Sequence, residues 1–309
     1  MAKILNIGSL NLDYVYAVPH FVEAGETLLS SRRDVFPGGK GLNQTVAAAR
    51  AGAEVFHGGA VGADGDMLLD LLKDAGADVS AVTRVDVPTG HAVIQVSPQG
   101  ENSIIILGGA NRAVSPGTVE AALEKVEAGD ILLLQNEINA VPFLIEEGRA
   151  CGLKIAVNPA PCGEAVRTWP LHLCDLILVN EIEAAQLTAM PADGDFRRMA
   201  EAMAERCPDS EVVITLGSKG ALCRSGKDEI IVPARPVKVA DTTSAGDTFT
   251  GYFLAAKLRG MNTEAAMRCA VFASSITVSR PGAAGSIPSA DEVFRNSDFS
   301  RQEKGDSHA

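Results

Sequence analysis

Five short runs of apolar residues constrain this chain more than any other feature: Ile4–Ile7, Ile131–Leu134, Ile155–Val157, Leu176–Val179 and Val212–Leu216. They are nearly continuous instead of alternating apolar with polar, the pattern of parallel strands covered on both faces. Helical patterns separate them, at Leu42–Ala51, Met67–Ala75, Thr118–Glu127 and Val141–Cys151. Strands that alternate with helices in this way predict an α/β fold: a doubly wound, mostly parallel central sheet flanked by helices. A chain of 309 residues has room for two domains, and single α/β domains also reach this size.

Two stretches break the alternation. Tyr14–Val18 with Thr27–Val35, and His91–Val96 with Ser103–Leu107, read as short antiparallel strands bounded by Pro and Gly. The expectation is one small sheet made by two excursions, residues 13–36 and 88–110, from a main domain of residues 1–12, 37–87 and 111–298. An internal hairpin of the core is the competing reading. Apolar residues fall on both faces of these strands, Val93 on one and Ala92 and Ile94 on the other. Such a sheet needs two covers, one from the substrate and one from a second subunit. The polar end, residues 299–309, is expected to be a flexible tail.

The charge balance narrows the partners. Lys+Arg number 27 against Asp+Glu 39, a formal net charge of −12, which disfavours nucleic acid and anionic membranes. The six cysteines (Cys151, Cys162, Cys174, Cys207, Cys223, Cys269) show neither CxxC nor zinc spacing and read as reduced thiols of a cytoplasmic protein. The five histidines form no HExxH, so neither a structural metal nor a His-centred triad is expected. No signal peptide is read at Met1-Ala-Lys-Ile, and no apolar run reaches the length of a membrane span.

In open α/β sheets, ligands bind beyond the carboxyl ends of the strands. Each of the five runs leads into polar or Gly-rich chemistry: Gly8-Ser-Leu-Asn11-Leu-Asp13, Gln135-Asn136-Glu137, Asn158-Pro-Ala-Pro161, Asn180-Glu181-Ile-Glu183 and Thr215-Leu216-Gly217-Ser218-Lys219-Gly220. One such end is turn chemistry; five directed to one edge mark that edge as the site. The loop Pro37-Gly38-Gly39-Lys40-Gly41-Leu42-Asn43 precedes a helix. Its glycines let backbone amides approach a ligand, and Lys40 and Asn43 share a helical face suited to reading sugar hydroxyls. A solvated lysine on a glycine loop is the plain alternative. The loop is not a P-loop, because Gly41 follows Lys40, and no dinucleotide fingerprint follows a strand. Asn180 and Glu183 lie on one side of a beginning helix, either as a cap or as holders of Mg²⁺-bound waters and phosphate oxygens.

The segment Asp241-Thr-Thr-Ser-Ala-Gly-Asp247 carries the reactive chemistry. Ser244 is expected to cap the helix that follows, with Asp247 three residues on completing a capping box. Small residues at Ala245 and Gly246 leave first-turn amides bare for phosphate or a developing oxyanion. Asp247 either takes a proton from a substrate hydroxyl or merely complements the helix dipole.

Together these motifs, with Gly25-Glu26-Thr27 and Gly109-Ala-Asn111, resemble the ribokinase branch of the carbohydrate kinase family that includes adenosine kinase and fructokinases. The likeness spans roughly residues 3–295 and includes both family signatures, around Gly38–Ala51 and at Asp241–Phe249. It implies an ATP-dependent kinase acting on a primary hydroxyl, most simply ribose to ribose 5-phosphate. Another pentose, a ketohexose or a nucleoside is the alternative, and a non-catalytic sugar-binding regulator a weaker one. By the resemblance Asp247 is the base, and the amides of Ala245, Gly246 and Asp247 hold the phosphoryl charge. Asn11, Asp13, Gly39, Lys40, Gly41, Asn43 and Glu137 match sugar-binding positions. Asn180 and Glu183 match those that organise Mg²⁺ and phosphates, and Thr215, Leu216, Gly217, Ser218, Lys219 and Gly220 the nucleotide loop, with Gly246 beside it. Asp241, Thr243, Thr277, Arg280, Gly282 and Ser286 match ligands of a potassium-like ion. The small sheet matches the family lid, which also makes a homodimer contact. Pro37 and Leu42 stand where that branch more often has Phe and Ala. Leu42 is expected beside the sugar, where its bulk would exclude a hydroxyl or tilt the ring toward another pentose.

Overall fold

The computed structural model describes residues 2–192 and 194–295; the tail expected at 299–309 lies outside them. Among the described residues, thirteen strands form two sheets. They are β1 (Ile4–Ile7), β2 (Asn11–Ala17), β3 (Arg32–Gly38), β4 (Val55–Val61), β5 (Asp78–Arg84), β6 (Gly90–Val96) and β7 (Asn102–Leu107). The second half supplies β8 (Ile131–Gln135), β9 (Lys154–Asn158), β10 (Leu176–Asn180), β11 (Glu211–Thr215), β12 (Ala221–Ser225) and β13 (Asp228–Val232). The large sheet runs β13-β12-β11-β10-β9-β8-β1-β4-β5, parallel from β11 to β5 and closed at one edge by the antiparallel β12–β13 hairpin. The expected doubly wound α/β architecture is therefore present. The five apolar runs are the adjacent strands β1 and β8–β11, and their carboxyl ends share one edge.

Helices cover both faces. On one side α1 (Lys40–Arg50), α2 (Asp66–Asp74), α7 (Ala245–Leu258) and α8 (Thr263–Val278) close a core that takes Leu133, Leu178 and Val213 from the sheet. On the other, α3 (Pro116–Leu123), α4 (Val141–Ala150), α5 (Glu181–Thr188) and α6 (Phe196–Arg206) cover Leu132, Leu134, Val179 and Ile214. Successive residues of one strand thus enter opposite cores, which is why the runs had to be continuously apolar. The short α9 (Ala290–Phe294) packs on α8. The helix expected at Thr118–Glu127 is capped by Ser115 and ends at Leu123.

The small sheet runs β3-β2-β6-β7 and is separate from the core, so the hairpin alternative does not hold. Two corrections concern its pairing. The hairpins β2–β3 and β6–β7 are antiparallel as expected, but they join through β2 and β6, which are parallel. The strand placed at Thr27–Val35 instead covers Arg32–Gly38 and passes through Pro37. A proline is accommodated because β3 is an edge strand. All of β7 is exposed, with Ile104, Ile105, Ile106 and Leu107 at 49% to 66%.

Candidate active site

The loops at the carboxyl edge bring the sequence-predicted residues together around the starts of α1 and α7. Helix α1 opens at Gly39 without a side-chain cap of its own. Its first amides are satisfied from elsewhere: Lys40 N–H donates to Glu137 Oε2 at 2.9 Å, Gly41 N–H to Ser9 Oγ at 3.1 Å, and Leu42 N–H to the Ser9 carbonyl at 2.9 Å. Ser9 Oγ also donates to Glu137 Oε2 at 2.5 Å. A Cβ at Gly41 would sit 2.3 Å from the Ser9 amide, so only glycine allows this approach.

Asp13 stands on β2 two residues beyond Asn11, the strand partner of Gly38, and its side chain leans so close to Gly38 that a Cβ there would overlap the carboxylate. Burial, reinforced by Glu137, raises the Asp13 pKa to about 6. Asn11 is buried, its Oδ1 accepting from Asn111 Nδ2 at 2.7 Å. Lys40 is pulled two ways: burial disfavours its charge, but Asp247, Glu137 and Glu183 outweigh that and raise its pKa.

Asp247 lies in the first turn of α7 and is buried. Asn43 Nδ2 donates to its Oδ2 at 3.2 Å and Gln44 Nε2 to its Oδ1 at 2.9 Å. The carboxylate is thus held by two side-chain amides from α1, and the capping-box expectation fails. Ser244 occupies the N-cap position in a left-handed conformation (φ 61°), and its side chain makes no cap bond. Ser244 Oγ is buried without a described partner. Of the three amides expected to face an anion, Ala245 N–H donates to the Thr242 carbonyl at 3.3 Å, while those of Gly246 and Asp247 have no described acceptor.

Two cavities meet at this turn. The inner one, of 400 Å³, is the more polar of the two and is lined by Lys40, Asn158, Asn180, Glu183, Ser244 and Asp247 among others. The outer one, of 540 Å³, is mainly apolar. Thr215, Gly217, Thr242, Ala245 and Gly246 line both. From the predicted nucleotide loop, Thr215, Gly217, Ser218 and Gly220 line the outer cavity, but Leu216 and Lys219 do not. Leu216 is buried in the core, and Lys219 reaches Glu181 at 3.3 Å. Sequence reasoning missed the opposite wall, Ala234 to Val237 and Val239 with Phe249, Val271 and Val278. Residues 234–239 belong to no strand or helix, so no periodicity marked them.

Asn180 and Glu183 form a reciprocal capping box: Glu183 N–H donates to Asn180 Oδ1 at 2.8 Å and Asn180 N–H to Glu183 Oε2 at 2.9 Å. Glu183 Oε1 has no described donor. Burial raises the Glu183 pKa, against the Asn180 amide and Lys40, with Asp247 adding to the rise. The cap and ligand readings are therefore compatible.

The six residues matched to a monovalent ion fall on two segments, Asp241 and Thr243 ahead of α7 and Thr277, Arg280, Gly282 and Ser286 from the end of α8 onward, and Asp241 joins the two. Its Oδ1 accepts from the Thr243 amide at 2.9 Å and hydroxyl at 2.6 Å, and its Oδ2 from the Gly282 amide at 3.0 Å. Burial works against the charge, but these donors prevail and lower the Asp241 pKa. The hydroxyls of Thr277 and Ser286 are engaged by Thr248 Oγ1 and the Ala283 carbonyl, and the Arg280 side chain pairs with Glu292. The carbonyls of Thr243, Arg280 and Gly282 accept no described bond.

Leu42, expected beside the sugar, is fully buried in the α1–α7 core. Like Asn11, Asp13, Gly39, Asn43 and Glu137, it lines neither cavity. Gln44 and Ser9 were missed; both are buried polar residues on segments already marked as motifs. All six cysteines are free. Among the described residues no helix is long and apolar enough to cross a membrane.

The family model for pfkB family carbohydrate kinases matches residues 1–290. A ribokinase of Haemophilus influenzae is 37% identical, over 95% of this chain and 98% of the relative. The structure of Arabidopsis thaliana ribokinase complexed with ribose and ATP superposes with a TM-score of 0.85 at 30% identity, covering 95% of this chain and 98% of that one. Ribokinase from Cryptococcus neoformans var. grubii serotype A, in complex with ADP, gives a TM-score of 0.85 at 32% identity, covering 96% and 99%.

Proposed function

The chain belongs to the pfkB family of carbohydrate kinases, and from that premise we propose that it transfers the γ-phosphoryl group of ATP to the primary hydroxyl of ribose, giving ribose 5-phosphate. Its fold is the ribokinase-like α/β fold, and it is a sugar kinase. The observation that carries the reaction is the placement of Asp247. Its carboxylate is fixed by Asn43 and Gln44 in the turn whose Gly246 and Asp247 amides are unengaged, where the two cavities meet.

In the proposed step Asp247 removes the proton of the sugar hydroxyl as its oxygen attacks the γ-phosphorus. The bond from that phosphorus to the bridging oxygen breaks, and ADP leaves with the electron pair. The amides at the start of α7 stabilise the charge spread over the phosphoryl oxygens, the usual dominant contribution in such chemistry. Asn11, Asp13, Gly39, Lys40, Gly41, Asn43 and Glu137 hold the sugar, and Thr215, Gly217, Ser218 and Gly220 form the nucleotide wall. The backbone at Leu216 and Lys219 shapes that wall while their side chains do other things.

The oxygen-rich set at Asn180 and Glu183, with Glu183 Oε1 unengaged, fits Mg²⁺, which would neutralise phosphate charge there. The carbonyls of Thr243, Arg280 and Gly282 with Asp241 fit a K⁺-like ion, which would stiffen the loops flanking α7. Residues 13–36 and 88–110 act as a lid, and the apolar β7 face is covered by a second copy, giving a cytoplasmic homodimer. ADP release measured with ribose, 2-deoxyribose, other pentoses, ketohexoses and nucleosides tests the substrate. Highest kcat/KM with ribose is expected; absent turnover of ribose alongside efficient turnover of another acceptor overturns it.

A further inference from the structure

We infer that Gln44 is a positioning residue, whose carboxamide keeps Oδ1 of Asp247 as a hydrogen-bond acceptor and leaves Oδ2 to take the sugar proton. This rests on Asp247 being the base. Gln44 is fully buried in α1. Its Nε2 donates to Asp247 Oδ1 at 2.9 Å and to Asn158 Oδ1 at 3.0 Å, and its Oε1 accepts from Gln135 Nε2 at 2.7 Å.

The two ends of a carboxamide are told apart by their partners. Here two backbone carbonyls, which only accept, fix the direction from opposite sides. Asn6 Nδ2 donates to the Gly41 carbonyl at 2.8 Å, so Asn6 Oδ1 faces Gln135 and accepts its Nε2 at 3.0 Å. Gln135 therefore turns the same nitrogen to Gln44, leaving its own Oε1 without a described partner. On the far side Asn158 Nδ2 donates to the Leu178 carbonyl at 2.9 Å, which turns Asn158 Oδ1 to Gln44. Both routes put Gln44 Nε2 against Asp247. A reversed amide would set oxygen against the carboxylate and lose the bonds to Asn158 and Gln135.

An amide N–H cannot receive a proton from Asp247, so Oδ1 stays an acceptor before and after the transfer. Oδ2 has one donor, Asn43 at the longer 3.2 Å, and keeps a lone pair for the reaction. The sugar O–H bond breaks, its proton bonds to Oδ2, and the oxygen's electron pair forms the new bond to phosphorus as the bond to ADP breaks. The charged groups acting on Asp247 are Lys40 of α1 and Glu183 of α5. Both stay in every variant of Gln44 or Gln135 below.

The test compares Gln44→Met, Gln135→Met, the double variant, Gln44→Glu and Asp247→Ala by kcat, KM for ribose and the pH profile of kcat. Gln44→Met is expected to lower kcat roughly 10- to 100-fold, keep KM for ribose within about threefold, and move the acid limb of kcat to higher pH. A carboxylate deprived of a donor is more basic. Gln135→Met acts in the same direction but less, and the double variant is no worse than Gln44→Met, because Gln135 works through Gln44. Gln44→Glu donates only while protonated, so its turnover falls as pH rises where the parent's does not. A folded Gln44→Met with parental kcat and profile, alongside an inactive Asp247→Ala, overturns the role of Gln44 alone. Normal turnover by Asp247→Ala overturns the base itself. Should Gln44→Met not fold, a parental pH profile for Gln44→Glu overturns the inference.

Discussion

Asn43 Nδ2 meets Asp247 Oδ2 at 3.2 Å although 204 residues separate them along the chain. The contact joins the first turns of α1 and α7, the two helices whose starts carry the glycine loop and the amides without a described acceptor. Replacing Asp247 by Ala removes the proposed base together with its bonds to Asn43 and Gln44, and leaves the apolar α1–α7 packing in place. The expected loss in kcat is at least about 10²-fold, the lower range for a missing general base, with ADP binding by calorimetry little changed. Turnover within a few-fold of the parent would remove Asp247 from that role.

The reciprocal bonds between Asn180 and Glu183 separate structural from catalytic contributions. Glu183→Gln keeps an acceptor for the Asn180 amide but loses the charge. Its melting temperature is expected to stay near the parent's, while the Mg²⁺ concentration for half-maximal activity rises several-fold. Glu183→Ala loses both and is also expected to cost about 1 kcal/mol of stability, the usual size of a cap. An unchanged Mg²⁺ dependence in Glu183→Gln would leave Glu183 with the cap alone.

Asp13 sets a pH dependence. Its folded pKa of about 6 lies above the ordinary value near 3.8, so the carboxylate proposed to accept sugar hydroxyls is protonated as pH falls through about 6. Ribose affinity, measured by calorimetry, is expected to weaken across that range, and Asp13→Asn to lose this pH dependence together with affinity. The stability contribution has the opposite direction. Between about 4 and 6 the folded state holds a proton that the unfolded state has released, so stability declines as pH rises through this window. Asp13→Asn removes that part of the slope, readable in denaturation midpoints at pH 4.5 and 7. A parental slope in the variant would reject the assignment.

The loops tied by Asp241 are expected to respond to monovalent ions. At constant Mg²⁺, exchanging K⁺ for a bulky organic cation should depress kcat, and adding K⁺ back should restore it. In Asp241→Ala the Thr243 and Gly282 tethers are gone, and K⁺ should no longer activate. Rates indifferent to K⁺ in the parent would exclude an ion there.

What was legible in the sequence follows the range of the forces involved. Strands β1 and β8–β11 were readable because burial on both faces demands apolar residues throughout, a local signal. The parallel pairing of β2 with β6 was not, because it joins segments about 80 residues apart through backbone bonds that leave no mark on composition. Ser244 shows local propensity overridden. A serine before a helix reads as a cap, yet its left-handed backbone leaves the hydroxyl without a cap bond, and the restraint on Asp247 comes from α1 instead. The glycine loop, Asp247 and the Asn180–Glu183 pair were visible as motifs. The 234–239 wall, lacking regular structure, was not.

Leu42 tests that distinction between motif proximity and side-chain direction. On a helix, residues 42 and 46 share a face, whereas 43 is turned by about 100°. Leu42 and Val46 accordingly enter the core beneath α7, while Asn43 reaches Asp247. Leu42→Ala would delete a fully buried side chain and leave a cavity, at a cost of about 2–5 kcal/mol in unfolding free energy. It should leave the relative kcat/KM for ribose, 2-deoxyribose and other pentoses within about twofold of the parent's, since the whole Leu42 side chain is buried in the core. The two readouts are independent: chemical denaturation reports the core, and the ratio of specificity constants reports the pocket. A stable variant with a reordered sugar preference would mean that Leu42 shapes the sugar site after all, and that the bulk beside the Gly-Gly-Lys-Gly loop selects the substrate.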